Sequence, residues 1–127
     1  MPDRPSTADL FVYGTLRSQF QNPYARRLHK EAELIGAATV RGSIFHITSY
    51  PGYLREPDGL VHGELWQLRE PAKTLAALDD YEGPEYARIQ TEATADERTE
   101  PVLAWVYLYT GNVAPHHRIA SGDFLLP

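Results

Sequence analysis

ELIGAATVRGSIFHI, residues 33–47, decides what kind of sheet this chain builds. Leu34, Ile35, Val40, Ile44 and Phe45 supply apolar and β-branched material for a long strand region, yet glycine interrupts it at 36 and 42. Glycine inside a strand pattern marks a bend or a bulge, and bulges are what curl a sheet toward a barrel. Toward the C-terminus, Pro51-Gly52 and Pro57-Asp58-Gly59 read as turn signals around a short extended piece at Tyr53-Leu54. Residues 60–69, LVHGELWQLR, resume as a strand. Residues 71–82, PAKTLAALDDYE, form the clearest helix: Pro71 suits the first helical position, Ala and Leu fill the interior, and Gly83-Pro84 stops it. Two further strands follow at 86–94 and 102–110, joined through the charged turn Asp96-Glu97-Arg98.

Toward the N-terminus, Leu10-Phe11-Val12-Tyr13 reads as a strand that stops in a tight turn at Gly14-Thr15. Asn22-Pro23 opens a short helix over residues 24–28. Residues 1–8, with two prolines, are expected to be a flexible leader, and residues 9–127 a single domain. The tail after Gly111 shows no usable periodicity. Strands predominate and no alternating βαβ units occur, which excludes a doubly wound parallel sheet. An α+β domain on a barrel-like, mostly antiparallel sheet fits.

The formal charge is −5, and no basic stripe interleaved with aromatics is present, so nucleic acid is not an expected partner. The absence of cysteine removes disulfides, thiolate catalysis and Cys-based metal sites. No apolar stretch approaches membrane-spanning length and no apolar run follows a basic start, so no membrane partner is expected and a cytoplasmic protein is the simplest reading. His46, His62 and the adjoining His116-His117 have no His-x-His or His-Glu-x-x-His spacing, so no metal is expected. No serine sits in a Gly-x-Ser-x-Gly elbow and no phosphate-cradling glycine loop occurs.

Two features carry chemistry. Leu75, Leu78 and Glu82 are spaced by three and four and share a helix face. The leucines face the core, so Glu82 is carried to the edge of an apolar stripe in the last helical turn. Desolvation and the negative helix end both disfavour its ionised form there, and Asp79 and Asp80 add like charge. Such a carboxyl is a candidate general acid/base; the alternative is that it frays outward and is solvated. The second feature is Tyr13-Gly14-Thr15-Leu16-Arg17. A strand ending in glycine and a small hydroxyl residue exposes successive N–H groups that can hold a carboxylate or an oxyanion. The alternative there is an ordinary strand-end turn. Trp105, Tyr107 and Tyr109 alternate onto one strand face and read as core, with the Tyr107 hydroxyl available to a pocket.

Together these segments resemble a known family. Phe11-Val12-Tyr13-Gly14-Thr15-Leu16-Arg17 resembles the opening motif of the gamma-glutamylcyclotransferase-like proteins. Tyr50-Pro51-Gly52-Tyr53, followed by Val61-His62-Gly63-Glu64-Leu65-Trp66, resembles the second block of that family. Leu78-Asp79-Asp80-Tyr81-Glu82-Gly83, then Tyr86 and Arg88, resembles the third. The order agrees over roughly residues 10–110. The resemblance implies a small mixed barrel with one main helix and short flanking helices. It also implies a cofactor-independent enzyme converting a gamma-glutamyl amine or isopeptide, or a gamma-glutamyl amino acid or peptide, to 5-oxoproline. A non-catalytic domain binding a small anion in the same pocket is the reading from a different class. By the same resemblance Glu82 matches the catalytic glutamate, and the backbone of Tyr13, Gly14, Thr15 and Leu16 grips the substrate carboxylate. Arg17, Tyr53, Tyr86, Arg88 and Tyr107 are the expected pocket neighbours.

Overall fold

The structure, a computed structural model, describes residues 8–126. The expected leader lies outside the described residues except for Ala8, whose carbonyl accepts a hydrogen bond from the Leu68 amide at 2.7 Å. Seven strands and two helices follow in the order β1 (Asp9–Val12), α1 (Pro23–Glu31), β2 (Ala32–Arg41), β3 (Ser43–His46), β4 (Pro51–Leu54), β5 (Leu60–Leu68), α2 (Pro71–Glu82), β6 (Tyr86–Ala95) and β7 (Val102–Tyr109). The sheet order is β1-β5-β2-β6-β7-β4-β3, and β1 also pairs with β7. Five strands therefore close on themselves as a barrel, while the β3–β4 hairpin hangs from β7. Neighbours are antiparallel except at the parallel pairings of Leu10 with Trp105 and of Tyr53 with Leu108.

The 33–47 segment folds as its glycines require. The β2–β5 register slips between Leu34 and Gly36, a bulge at the first glycine. Gly42 separates β2 from β3 with φ of 141°, and a Cβ there would lie 2.5 Å from the Leu54 carbonyl oxygen. Only glycine makes that corner. One expectation is corrected: Pro51-Gly52 is not a turn but the start of β4, opposite His46 and Phe45. Pro51 is tolerated there because it opens its strand.

Alternation along β1 divides the interior. Phe11 and Tyr13 point into the barrel with Val40, Ile44, Tyr53, Val61, Leu65 and Val106. Leu10 and Val12 point outward onto a second apolar layer with Leu28, Trp66, Leu68, Leu75 and Leu78. The second layer is the seat of both helices. Leu28 and Leu78 are fully buried in it, each contributing roughly 2 kcal/mol by transfer from water. Thr74, buried on α2, donates its hydroxyl to Glu31 at the end of α1 at 2.7 Å, tying the helices together. α2 ends where its sequence stops it, with the Gly83 N–H on the Asp79 carbonyl at 3.1 Å.

The tail is ordered although it has no periodicity. A short 3-10 turn at Pro115–His117 leads to an isolated bridge between Arg118 and Phe45, and Gly122 accepts from the His62 amide at 2.8 Å. The chain then lies against the turn after β1, with the Phe124 ring stacked on Phe20 at 6.2 Å.

Candidate active site

Segments distant in sequence enclose a cavity of about 270 Å³. One wall is the end of β1 and its turn, Phe11 through Leu16; another is Tyr81 and Glu82 at the end of α2. Ser49, Tyr50 and Pro51 come from the approach to β4, and Tyr86 and Tyr107 from β6 and β7.

The turn is held from several sides. The Arg17 amide donates to the Gly14 carbonyl at 3.1 Å, closing it. The Thr15 carbonyl accepts from Asn22 Nδ2 at 2.8 Å, and Asn22 Oδ1 caps α1 through the Ala25 amide at 2.8 Å. The Leu16 carbonyl accepts from His29 Nε2 at 3.1 Å, with the His29 ring stacked on Trp66. Thr15 Oγ1 and Tyr81 Oη share a hydrogen bond of 2.8 Å. Glu64 anchors the far side, accepting from the Ser18 amide at 2.7 Å, the Ser18 hydroxyl at 2.5 Å and Trp66 Nε1 at 3.2 Å. The carbonyls are thus occupied, while the amides of Thr15 and Leu16 make no hydrogen bond to a described residue. Free successive N–H groups in a turn form a concavity suited to an anion.

Glu82 faces this turn across the cavity. Its half-buried carboxyl receives no hydrogen bond among the described residues. Desolvation first, and the charge of Asp79 second, push its pKa from 4.5 up to about 7. The neighbouring tyrosines do not relieve it. Tyr13 donates its hydroxyl to the Tyr107 carbonyl at 2.7 Å, Tyr86 to the Pro51 carbonyl at 2.8 Å, and Tyr107 to Asp79 Oδ1 at 2.7 Å. Each has given its one O–H to the protein, and the Tyr13 oxygen also accepts from the Tyr53 amide at 3.1 Å, so it is Tyr86 and Tyr107 that offer a ligand acceptor oxygens. Burial holds all three phenols above their usual range, and they stay neutral. The cavity therefore has donor amides at the turn and acceptor oxygens around Glu82.

Of the residues expected at the site, Tyr13, Gly14, Thr15, Leu16, Glu82, Tyr86 and Tyr107 line the cavity. Three do not. Arg17, 8% exposed, turns away to an ion pair with Asp123 at 2.8 Å. Tyr53 is buried inside the barrel with its hydroxyl on the Arg41 carbonyl at 2.5 Å. Arg88 grips Asp79 through Nε and an Nη at 2.9 and 3.1 Å and lies 4.4 Å over the Trp105 ring. Sequence reasoning passed over Tyr81, Tyr50 and Pro51, and the anchoring carboxyl of Glu64. Tyr81 is next to Glu82 in the last turn, and Glu64 is the lone acid in the apolar run LVHGELWQLR; those positions were the signals.

A family model described as gamma-glutamyl cyclotransferase, AIG2-like, matches residues 10–126. The chain belongs to that family. The gamma-glutamyl cyclotransferase, AIG2-like fold recurs in solved structures. An AIG2-like protein from Mus musculus is 26% identical with a TM-score of 0.70, covering 87% of this chain and 81% of its own. An uncharacterized protein from Pyrococcus horikoshii shares the fold at 21% identity and a TM-score of 0.70, over 93% of this chain and 90% of its own. A structure named gamma-glutamyl cyclotransferase does so at 18% identity and a TM-score of 0.61, over 86% and 72%. No curated protein sequence matches the chain significantly.

Proposed function

We propose that this protein converts a gamma-glutamyl amine or gamma-glutamyl isopeptide to 5-oxoproline and the free amine, with Glu82 as general acid/base. The observation that carries the reading is the position of Glu82: a carboxyl at about 7, without a hydrogen-bond partner among the described residues, in a cavity whose opposite wall presents the Thr15 and Leu16 amides. A gamma-glutamyl group carries a carboxylate and an ammonium on one carbon. The amides of Thr15 and Leu16 suit the carboxylate, and the acceptor oxygens of Glu82 and Tyr107 suit the ammonium.

In this reading Glu82, ionised, takes a proton from the α-ammonium. The freed nitrogen attacks the δ-carbonyl carbon, forming the ring C–N bond and a tetrahedral oxyanion. Glu82 returns the proton to the departing nitrogen as the old C–N bond breaks. It then takes the second proton from the ring nitrogen and passes it to the released amine, which departs as an ammonium ion. Atoms balance without water, metal or cofactor, because nucleophile and electrophile belong to one molecule; holding them in a ring-closing pose is the larger part of the task. An α-amine titrates near ~8 and an ordinary glutamate near ~4.3, an uphill transfer of about 5 kcal/mol. With Glu82 at about 7 the same transfer is uphill by only ~1.4 kcal/mol. kcat/KM should accordingly rise through pH 7 as Glu82 ionises. The cytoplasm is the proposed place of action; among the described residues no helix is long and apolar enough to cross a membrane.

The test is 5-oxoproline release from gamma-glutamyl amines, gamma-glutamyl-lysine isopeptides and gamma-glutamyl dipeptides, with Glu82→Gln beside the wild type. Turnover of amines or isopeptides, with about a 10²–10⁴-fold loss in the variant, supports the proposal. Turnover of dipeptides alone transfers the activity to the amino acid and peptide class. Binding of a gamma-glutamyl ligand without turnover of any substrate overturns the catalytic reading.

A further inference from the structure

Two acidic side chains sit three residues apart at the end of α2 and live in opposite environments. Asp79 is ion-paired with Arg88 through two contacts, 2.9 and 3.1 Å, and receives the Tyr107 hydroxyl at 2.7 Å. Arg88 is fixed in turn by the Trp105 ring beneath its guanidinium. Glu82, roughly one helical turn on, has no such partner. Residues at i and i+3 lie about 5–6 Å apart at Cβ, close enough for a charge on one to bear on the other. Desolvation opposes the ionisation of Asp79, but the hydrogen bonds from Arg88 and Tyr107 and the Arg88 charge outweigh it, so Asp79 titrates below its usual range. Its charge is therefore constant over the whole interval in which Glu82 changes state. The other titratable groups lining the cavity are phenols: Tyr13 just after β1, Tyr50 ahead of β4, Tyr81 beside Glu82, Tyr86 from β6 and Tyr107 from β7. Burial holds those of Tyr13, Tyr86 and Tyr107 above their usual range.

We propose that the Asp79–Arg88 pair is a positioning device that tunes the protonation of Glu82 on top of its burial: Asp79 helps hold the proton on, and Arg88 moderates how strongly it does so. Neither residue lines the cavity, so each acts through Glu82 and not on the substrate. The pair leaves a signature that a merely structural role lacks, because its two members have opposite signs. Removing Asp79 deletes a repelling charge and also frees an unbalanced cation, and both changes favour ionised Glu82. Removing Arg88 leaves Asp79 unbalanced, which favours the protonated form. Simple loosening of the helix end would admit water in either variant and drive both the same way, toward an ordinary carboxylate.

For kinetics the inference rests on the cyclotransferase reading; for titration it does not. The experiment is carbon NMR of glutamate side-chain carboxyls, with the Glu82 signal assigned by its loss in Glu82→Gln. Wild type, Asp79→Asn and Arg88→Gln are titrated from pH 4 to 9 in low and high salt. The expected result is a midpoint lowered on the order of half a pH unit in Asp79→Asn and raised by a similar amount in Arg88→Gln. Both shifts should shrink in high salt, since the pair is partly exposed, 42% at Asp79 and 25% at Arg88. Shifts of the same sign, or none, overturn the inference. If the midpoints move apart while the acid limb of kcat/KM stays put, the device stands and the assignment of Glu82 as the base fails.

Discussion

Where the chain turns after β1, the backbone carbonyls of Thr15 and Leu16 and the backbone amide and hydroxyl of Ser18 are all engaged; where α2 ends, the Glu82 carboxyl has no hydrogen-bond partner among the described residues. Both walls border one cavity, but their physical chemistry runs in opposite directions. At the turn, Asn22, His29, Glu64 and Tyr81 hold the loop, while the Thr15 and Leu16 amides make no hydrogen bond to a described residue. At the helix end the fold tolerates a desolvated acid beside a like charge. For the proposed reaction, the contrast separates two ways of preparing a site: rigid geometry where a ligand would be held, and electrostatic discomfort where a proton would move.

The contrast can be broken by substitution, and the largest change is expected at the turn. Glu64→Met leaves three donors, the Ser18 amide and hydroxyl and Trp66 Nε1, without their acceptor. Urea denaturation should show a loss of about 2–3 kcal/mol; an unchanged midpoint would mean that Glu64 does not anchor the loop. Next comes Glu82→Gln, with the opposite sign. A carboxyl raised from 4.5 to about 7 binds its proton more tightly in the folded state, so its contribution to stability is full below pH 4.5 and declines until pH 7. The shift of about 2.5 units corresponds to at most ~3 kcal/mol. The variant should therefore be more stable than wild type by about 1–2 kcal/mol at pH 8, with the advantage fading toward pH 4. A variant less stable at pH 8 would contradict a desolvated Glu82.

The smallest effect is expected at Asp123, which reaches the turn only through Arg17. Its carboxyl is lowered although desolvation works against it, through hydrogen bonds from the Leu125 amide and Arg17 and the Arg17 charge. A lowered carboxyl adds stability above its ordinary value of 3.8 and loses it as pH falls below that. Asp123→Asn should cost about 1 kcal/mol at pH 7, and the cost should shrink as pH falls below 3.8 and through the lowered value of Asp123 itself. A cost that persists in acid would assign the effect to packing of the tail.

What the sequence disclosed follows from how far each signal travels along the chain. The bounds of α2 were legible because Pro71 and Gly83-Pro84 act locally. The Leu75, Leu78 and Glu82 stripe needs only the helical period. Gly36 and Gly42 revealed the bulge and the corner because a missing Cβ is a local property. The destination of Arg17 was not legible, because its partner Asp123 lies 106 residues away in a tail without periodicity. Tyr53 read as a pocket neighbour, but Gly42 and the β3–β4 pairing turn its ring into the barrel. Pro51-Gly52 has the composition of a turn, and only pairing with β3 makes it a strand.

Closure of the barrel has a consequence for how the molecule comes into being. β1 finds β5 more than fifty residues later and β7 later still, where Leu10 meets Trp105. The cavity draws on residues 11–16, 49–51, 81, 82, 86 and 107, so no short fragment contains a version of it. On a ribosome, the first strand waits with an unpaired edge until nearly the whole sheet has been made. Such long-range closure is slow and exposes strand edges meanwhile. Chains cut short before β7 should collect as aggregates and not as partly formed sites, so that synthesis delivers the complete cavity or none.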